Sequence, residues 1–272
     1  MSTTTGKAVD AVRRNNVVII GNPDGRPMLF AHGFGCSQDM WRLVVPHFES
    51  DYKIVLFDHV GAGGSDLAAY DRGKYDSLDG YASDIVEIVE QLDLTDVVFV
   101  AHSVSAMIAV LASKIAPERF GALALVGPSP RYVNDGSYIG GFEPEAMDSL
   151  LDSLDLNYLG WSSVMAPAIM GNPERPELGE TLEASFCSID PSIARHFARV
   201  TFLSDSRDEL AGVTTPTLVL QCSEDVIAPT VVGAYVHEHI PGSTLVQLEA
   251  TGHCPNLSGP DELSREIAAY LG

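Results

Sequence analysis

Residues 97–110 read VVFVAHSVSAMIAV. Branched and aromatic apolar residues, the material of a buried strand, run into His102 and Ser103, and an alanine-rich apolar stretch of helical character follows. A polar pair thus falls at a strand-to-helix switch inside the most apolar segment of the chain. A buried hydroxyl without a partner costs about 1–3 kcal/mol. Ser103 is therefore either a serine satisfied locally at a helix start or a residue placed there for chemistry. A switch of this kind also needs small residues two before and two after the serine, because strand and helix nearly collide there. Ala101 and Ser105 meet that need, where the pattern G-x-S-x-G has glycines.

The same alternation runs through most of the chain. VVII (17–20), MLFA (28–31), KIVLFD (53–58), VVFVA (97–101), ALALVG (122–127), TLVLQC (217–222) and TLVQLE (244–249) read as strands. Residues 39–49, 77–92, 104–116 and 261–271 read as helices; in the second, apolar residues at 78, 81, 85, 88, 89 and 92 form one stripe. Near-continuous apolar strands separated by helices predict a mostly parallel central sheet covered on both faces. Residues 130–213 break the pattern. Met147, Leu150, Leu151 and Leu154, then Trp161, Val164, Met165 and Ile169, are spaced helically without a clear strand. The expectation is a core domain made of residues 1–129 and 214–272, with a helical cap over the strand ends between them.

Composition excludes several classes of function. The net charge of −21, from 16 basic against 37 acidic residues, repels phosphate backbones and anionic lipid, so neither nucleic acid nor a membrane surface is expected as a partner. The start of the chain, MSTTTGKAVDAVRRNN, lacks the apolar run of a secretory signal, and 97–111 is too short and too polar to span a bilayer. Cys36, Cys187, Cys222 and Cys254 are scattered, with no close ligand pair for zinc. Reduced thiols, a cytoplasmic location and no metal are expected.

A serine hydroxyl is a poor nucleophile near neutral pH and needs a base held by an acid. CSEDVIAP (222–229) and ATGHCPN (250–256) each follow a predicted strand and supply Asp225 and His253. Taken singly, Asp225 reads as a turn residue, with Glu224 beside it as a rival, and His253 as an ordinary loop histidine. Together with Ser103 they fall in the chain order serine, acid, histidine at the carboxyl ends of strands, where the loops of an open α/β sheet converge. Catalytic Ser103, Asp225 and His253 are the expected triad. The N–H groups of Val104, after the serine, and of Phe34, in the loop His32-Gly33-Phe34-Gly35, are the expected oxyanion donors. HVGAGGSD (59–66) lacks both the Walker and the dinucleotide glycine spacing, so it reads as a structural turn and no cofactor is implied.

These features resemble the α/β-hydrolase superfamily. FAHGFGCSQDMW (30–41), LFDHVGAGGSDLAAYD (56–71), GPSPRYVND (127–135), YIGGFE (138–143), NYLGW (157–161), FCSIDPSIAR (186–195) and GHCPNLS (252–258) are similar to RsbQ-like stress-signalling hydrolases and to the plant strigolactone and karrikin receptor hydrolases. The resemblance implies a four-helix cap over a narrow apolar pocket and a small hydrophobic ester or lactone as ligand. It also implies a sensor-domain phosphatase as partner in a sigma-factor stress response. It carries pocket roles to Tyr132, Phe142, Trp161, Phe186 and Val226, for which plain cap packing is the alternative. Two other readings stay open beside it: a metabolic esterase or lactonase without a signalling role, and a ligand-binding signalling module with little turnover. The elbow departs from the RsbQ-like pattern at Ala101 and Ser105, which puts bulk where glycine is usual.

Overall fold

The computed structural model describes residues 10–272. Residues 1–9, which open the predicted core domain and most of the stretch read for a signal, lie outside it. The strands are β1 (Val18–Gly21), β2 (Arg26–Ala31), β3 (Tyr52–Leu56), β4 (Val97–His102), β5 (Phe120–Val126), β6 (Thr217–Cys222) and β7 (Thr244–Leu248). They form one sheet in the order β1-β3-β2-β4-β5-β6-β7. Only β1 runs antiparallel, against β3 at one edge; every other pairing is parallel.

The alternation of side chains along a strand divides the core. Leu29, Ala31, Val97, Phe99 and Ala101 face one apolar cluster, whereas Met28, Phe30, Val98 and Val100 face another on the opposite side. Both faces of β2 and β4 are thus buried, which explains why their sequences read as unbroken apolar runs.

The helices are α1 (Ala11–Arg14), α2 (Leu78–Gln91), α3 (Val104–Ile115), α4 (Pro144–Leu156), α5 (Tyr158–Met170), α6 (Pro176–Cys187), α7 (Pro191–Phe202), α8 (Thr230–His239), α9 (Pro255–Ser258) and α10 (Pro260–Leu271). The stripe read on α2 is its buried face: Leu78, Tyr81, Ile85, Ile88 and Val89 are all within the core. Helices α4–α7 follow one another between β5 and β6. The preceding segment is irregular, held by isolated bridges between Val133 and Phe142 and between Asp135 and Tyr138.

One predicted helix differs. Residues 39–49 form two short 3₁₀ turns, Gln38–Trp41 and Val45–His47. Pro46 has no N–H to donate and its ring disfavours helical backbone before it, so a continuous helix cannot pass through. Trp41, Val44, Val45 and Phe48 are still buried, which is why the apolar spacing looked helical. No helix of the described residues is long and apolar enough to cross a membrane.

Candidate active site

Ser103 stands between β4 and α3 with φ +59° and ψ −127°, a backbone conformation that a side-chain-bearing residue adopts only under constraint. The constraint is visible: its N–H donates to the Val126 carbonyl on β5 (2.8 Å) and its carbonyl accepts from the Ala106 N–H (2.8 Å). The turn is as tight as its small residues imply. A Cβ on Gly33 would lie 3.1 Å from Ser103 Cβ, and Ala101 and Ser105 are fully buried.

The loop after β6 brings in Asp225 and the loop after β7 brings in His253. His253 Nε2 and Ser103 Oγ are 2.7 Å apart, and His253 Nδ1 lies 2.7 Å from Asp225 Oδ2. The second carboxylate oxygen of Asp225 accepts from the N–H groups of Ile227 (2.8 Å) and Ala228 (3.0 Å). Burial alone would raise the Asp225 carboxyl, but the adjacent His253 and those two N–H groups outweigh it and hold the group below the usual carboxylate range. With Asp225 ionised, His253 carries its proton on Nδ1 and offers Nε2 to the serine. Glu224, the rival acid, is exposed. The His253 loop is anchored on three sides: Gly252 N–H to Glu224 O, His253 N–H to Ile169 O at the end of α5, and the His102 ring Nε2–H to His253 O. All three of Ser103, Asp225 and His253 are buried.

The N–H groups of Phe34 and Val104 are not engaged by any other group among the described residues. Gly33 O, on the same peptide plane as the Phe34 N–H, faces the His32 ring at 2.9 Å.

Beside Ser103 lies a narrow cavity of about 30 Å³, by the same measure room for about two waters. Of the five pocket residues carried over by resemblance, Tyr132 and Phe186 line it. The other three do not. Trp161 sits one layer back, stacked on Phe186 with ring centres 5.6 Å apart. Phe142 packs into the segment before α4, where its N–H donates to Tyr132 O. Val226 is 57% exposed. The turn around Asp225 points Ile227, the next residue, inward instead, because Asp225 captures the N–H groups of Ile227 and Ala228. Phe34, expected from sequence only as an oxyanion donor, and Ile169, read only as part of a helical stripe, complete most of the wall with Leu182, Thr201, Phe202 and Ile227, which were not singled out from sequence. A signal existed for Thr201. Ala194, Phe197, Ala198, Thr201 and Phe202 form the buried stripe of α7, and Thr201 is the one polar member.

A wider cleft, about 520 Å³, opens between the start of α2 and the end of α7 around Asp76, His196, Arg199 and Glu209, away from the triad. Among the described residues no group of His, Cys, Asp and Glu side chains gathers to hold a metal ion.

The model of the alpha/beta hydrolase family matches residues 28–266. The chain is 38% identical to the strigolactone esterase D14 of Arabidopsis thaliana, over 94% of this chain and 96% of that one. It is also 38% identical to the karrikin insensitive 2 receptor CA of Petunia hybrida, over 91% and 92% of the two chains. Among solved structures, a hydrolase from Oleispira antarctica shares 40% identity and superposes with a TM-score of 0.93, covering 96% of each chain.

Proposed function

The chain belongs to the α/β hydrolase family, and on that footing we propose that it is a serine hydrolase of small hydrophobic carboxylic esters or lactones. The observation that carries the reading is the unbroken contact from Asp225 through His253 to Ser103, with the serine on a strained turn. His253 Nε2 takes the Ser103 proton as Oγ attacks the substrate carbonyl, and Asp225 holds the imidazole tautomer and stabilises the imidazolium. The N–H groups of Phe34 and Val104 receive the oxyanion; such a donor is typically worth about 2.7–4 kcal/mol of barrier. His253 then protonates the leaving alkoxide, and water, activated by the same base, releases the acyl group. In a lactone the leaving oxygen stays tethered to the acyl part, and the product is a hydroxy acid.

In this reading residues 130–213 act as the cap over a core of residues 1–129 and 214–272. The small free volume beside Ser103 means that an acyl group enters by displacing the aromatic wall around Phe186 and Phe202. All four cysteines are unpaired thiols, which suits a reducing compartment such as the cytoplasm.

The test is mass spectrometry after exposure to a fluorophosphonate. One adduct on the wild type, absent from Ser103→Ala, is expected. An adduct that persists on the variant places the nucleophile elsewhere and defeats the reading.

A second reading is favoured by the relative named as a receptor. In it the ligand-bound cap engages a partner protein, an RsbQ-like role with a sensor-domain phosphatase in a sigma-factor response. Slow single turnovers together with ligand-dependent capture of such a phosphatase would select it. Fast multiple turnovers on a narrow ester set would select the metabolic role.

A further inference from the structure

The cavity beside Ser103 is walled largely by Phe34, Ile169, Leu182, Phe186, Phe202 and Ile227, with a few polar atoms set among them. Ser103 Oγ and His253 Nε2 are committed to each other. His102 donates from Nε2 to the His253 carbonyl, and its Nδ1 is covered by the backbone at Gly33, where a Cβ would lie 2.8 Å away. Two hydroxyls remain, the phenol of Tyr132 and Oγ1 of Thr201. Both residues are 1% exposed. Thr201 Oγ1 has no hydrogen-bond partner among the described residues, and the Tyr132 phenol faces Ser103, whose Oγ is engaged by His253.

Thr201 is the more telling of the two. A serine or threonine inside a helix ordinarily satisfies its hydroxyl by donating to the carbonyl one turn earlier. Ser149 on α4, Ser162 on α5 and Thr181 on α6 all do so. Thr201 on α7 does not, and it lines the cavity instead. Tyr132 reaches the cavity from the segment after β5, and its ring packs edge-on against Phe202, 5.3 Å between centres. The two hydroxyls therefore belong to adjoining parts of the wall. A plain alkyl chain seated there would bury both oxygens unpaired, which is costly.

We propose that Thr201 and Tyr132 form a polar subsite, and that the substrate is an ester or lactone whose acyl part carries a second oxygen, as an ether, ketone or hydroxyl, apart from the carbonyl under attack. The assignment rests on the reading that Ser103 attacks a carboxylic ester. It turns an apolar pocket into a selective one, because a site that pairs a substrate oxygen disfavours the analogue lacking it.

The test uses matched para-nitrophenyl esters that differ by one methylene-to-oxygen exchange: butyrate against methoxyacetate, and pentanoate against methoxypropanoate. The ratio of kcat/KM, oxygenated over alkyl, is measured for wild type, Thr201→Val, Thr201→Ser and Tyr132→Phe. The intrinsic reactivity of each ester is the same for every enzyme form, so a change in the ratio reads the hydroxyl alone. In at least one pair the ratio is expected to fall about tenfold in Thr201→Val, the size of one neutral hydrogen bond, and to hold in Thr201→Ser. Should Thr201→Val fail to fold, Tyr132→Phe carries the same comparison. Ratios within twofold of wild type in both hydroxyl-deleted variants, with wild type turning over all the esters, overturn the subsite and leave the hydrolase reading standing. Absence of any turnover or nitrophenolate burst by wild type overturns both.

Discussion

His59 Nε2 lies 2.7 Å from Ser105 Oγ, and that hydroxyl in turn donates to the His32 carbonyl at 2.5 Å. Ser105, the residue that replaces glycine in the elbow, is thus the bridge between helix α3 and the loop that carries Phe34. The bonds fix the tautomers. Ser105 donates to His32, so His59 donates from Nε2; the His59 N–H points at His32 Nε2 (3.1 Å), so the His32 proton is on Nδ1, facing Gly33 O.

Removing the bridge leaves His59 Nε2–H and the His32 carbonyl buried without partners. Ser105→Ala is therefore expected to lose about 1–3 kcal/mol of stability, seen as a melting temperature lower by roughly 2–6 °C. Acylation should slow as well, because the peptide that presents the Phe34 N–H is less firmly held. An unchanged melting temperature would show that the pairing contributes nothing.

Asp225→Asn keeps the shape of the acid but cannot hold the Nδ1–H tautomer of His253 against the pull of Ser103. By the behaviour of triads generally, kcat should fall by about 10⁴-fold, with the far-ultraviolet circular dichroism unchanged. A loss below tenfold would assign the orienting role to another group.

The buried histidines set the acid side of the stability curve. Burial lowers His32, holds His59 well below its ordinary value and pushes His102 down to about 3. The unfolded chain takes up these protons near pH 6.5 and the folded chain does not. The unfolded state then binds more protons, so stability falls as pH drops below about 6.5, and for His102 it keeps falling to about 3. Between those two values His102 contributes a slope of about 1.4 kcal/mol per pH unit, and His32 and His59 add in the same direction. Urea midpoints should be flat from pH 7.5 to about 6.5 on this account and fall from there to pH 5, and His102→Asn should flatten that fall by about one proton.

How much of this was legible from sequence differs by element, and for physical reasons. Strands β2 and β4 could be read because burial on both faces leaves them almost purely apolar. The approach of Ser103, Asp225 and His253 could be anticipated because each follows a strand of one parallel sheet. The cavity wall could not. Its residues meet across helices packed by side-chain shape, and nothing local separates Trp161, one layer behind the wall, from Phe186 in it. The resemblance that named Val226 erred by one position for a similar reason: the turn at Asp225 is set by backbone N–H groups bonding the carboxylate, which residue types alone do not reveal. The first helix, read over 39–49, failed at a residue in plain view, Pro46.

That one-position difference gives a sharp comparison. Ile227 is 3% exposed and lines the cavity, whereas Val226 is 57% exposed. Truncating a buried isoleucine removes apolar contacts and leaves space that the surroundings refill only partly, at a typical cost of about 2–5 kcal/mol. A solvent-facing valine on a loop has few such contacts, and its truncation stays within about 0.5 kcal/mol. Ile227→Ala should therefore lower the urea midpoint clearly and Val226→Ala should not. The same substitution widens the cavity beside Ser103, so Ile227→Ala should shift the preferred acyl chain of para-nitrophenyl esters toward longer members by about one or two carbons, since a buried methylene is worth about 0.8 kcal/mol. Val226→Ala should leave the chain-length profile where it was. If Val226→Ala moved that profile and Ile227→Ala did not, the inward turn of Ile227 at the Asp225 loop would be the wrong account of the pocket.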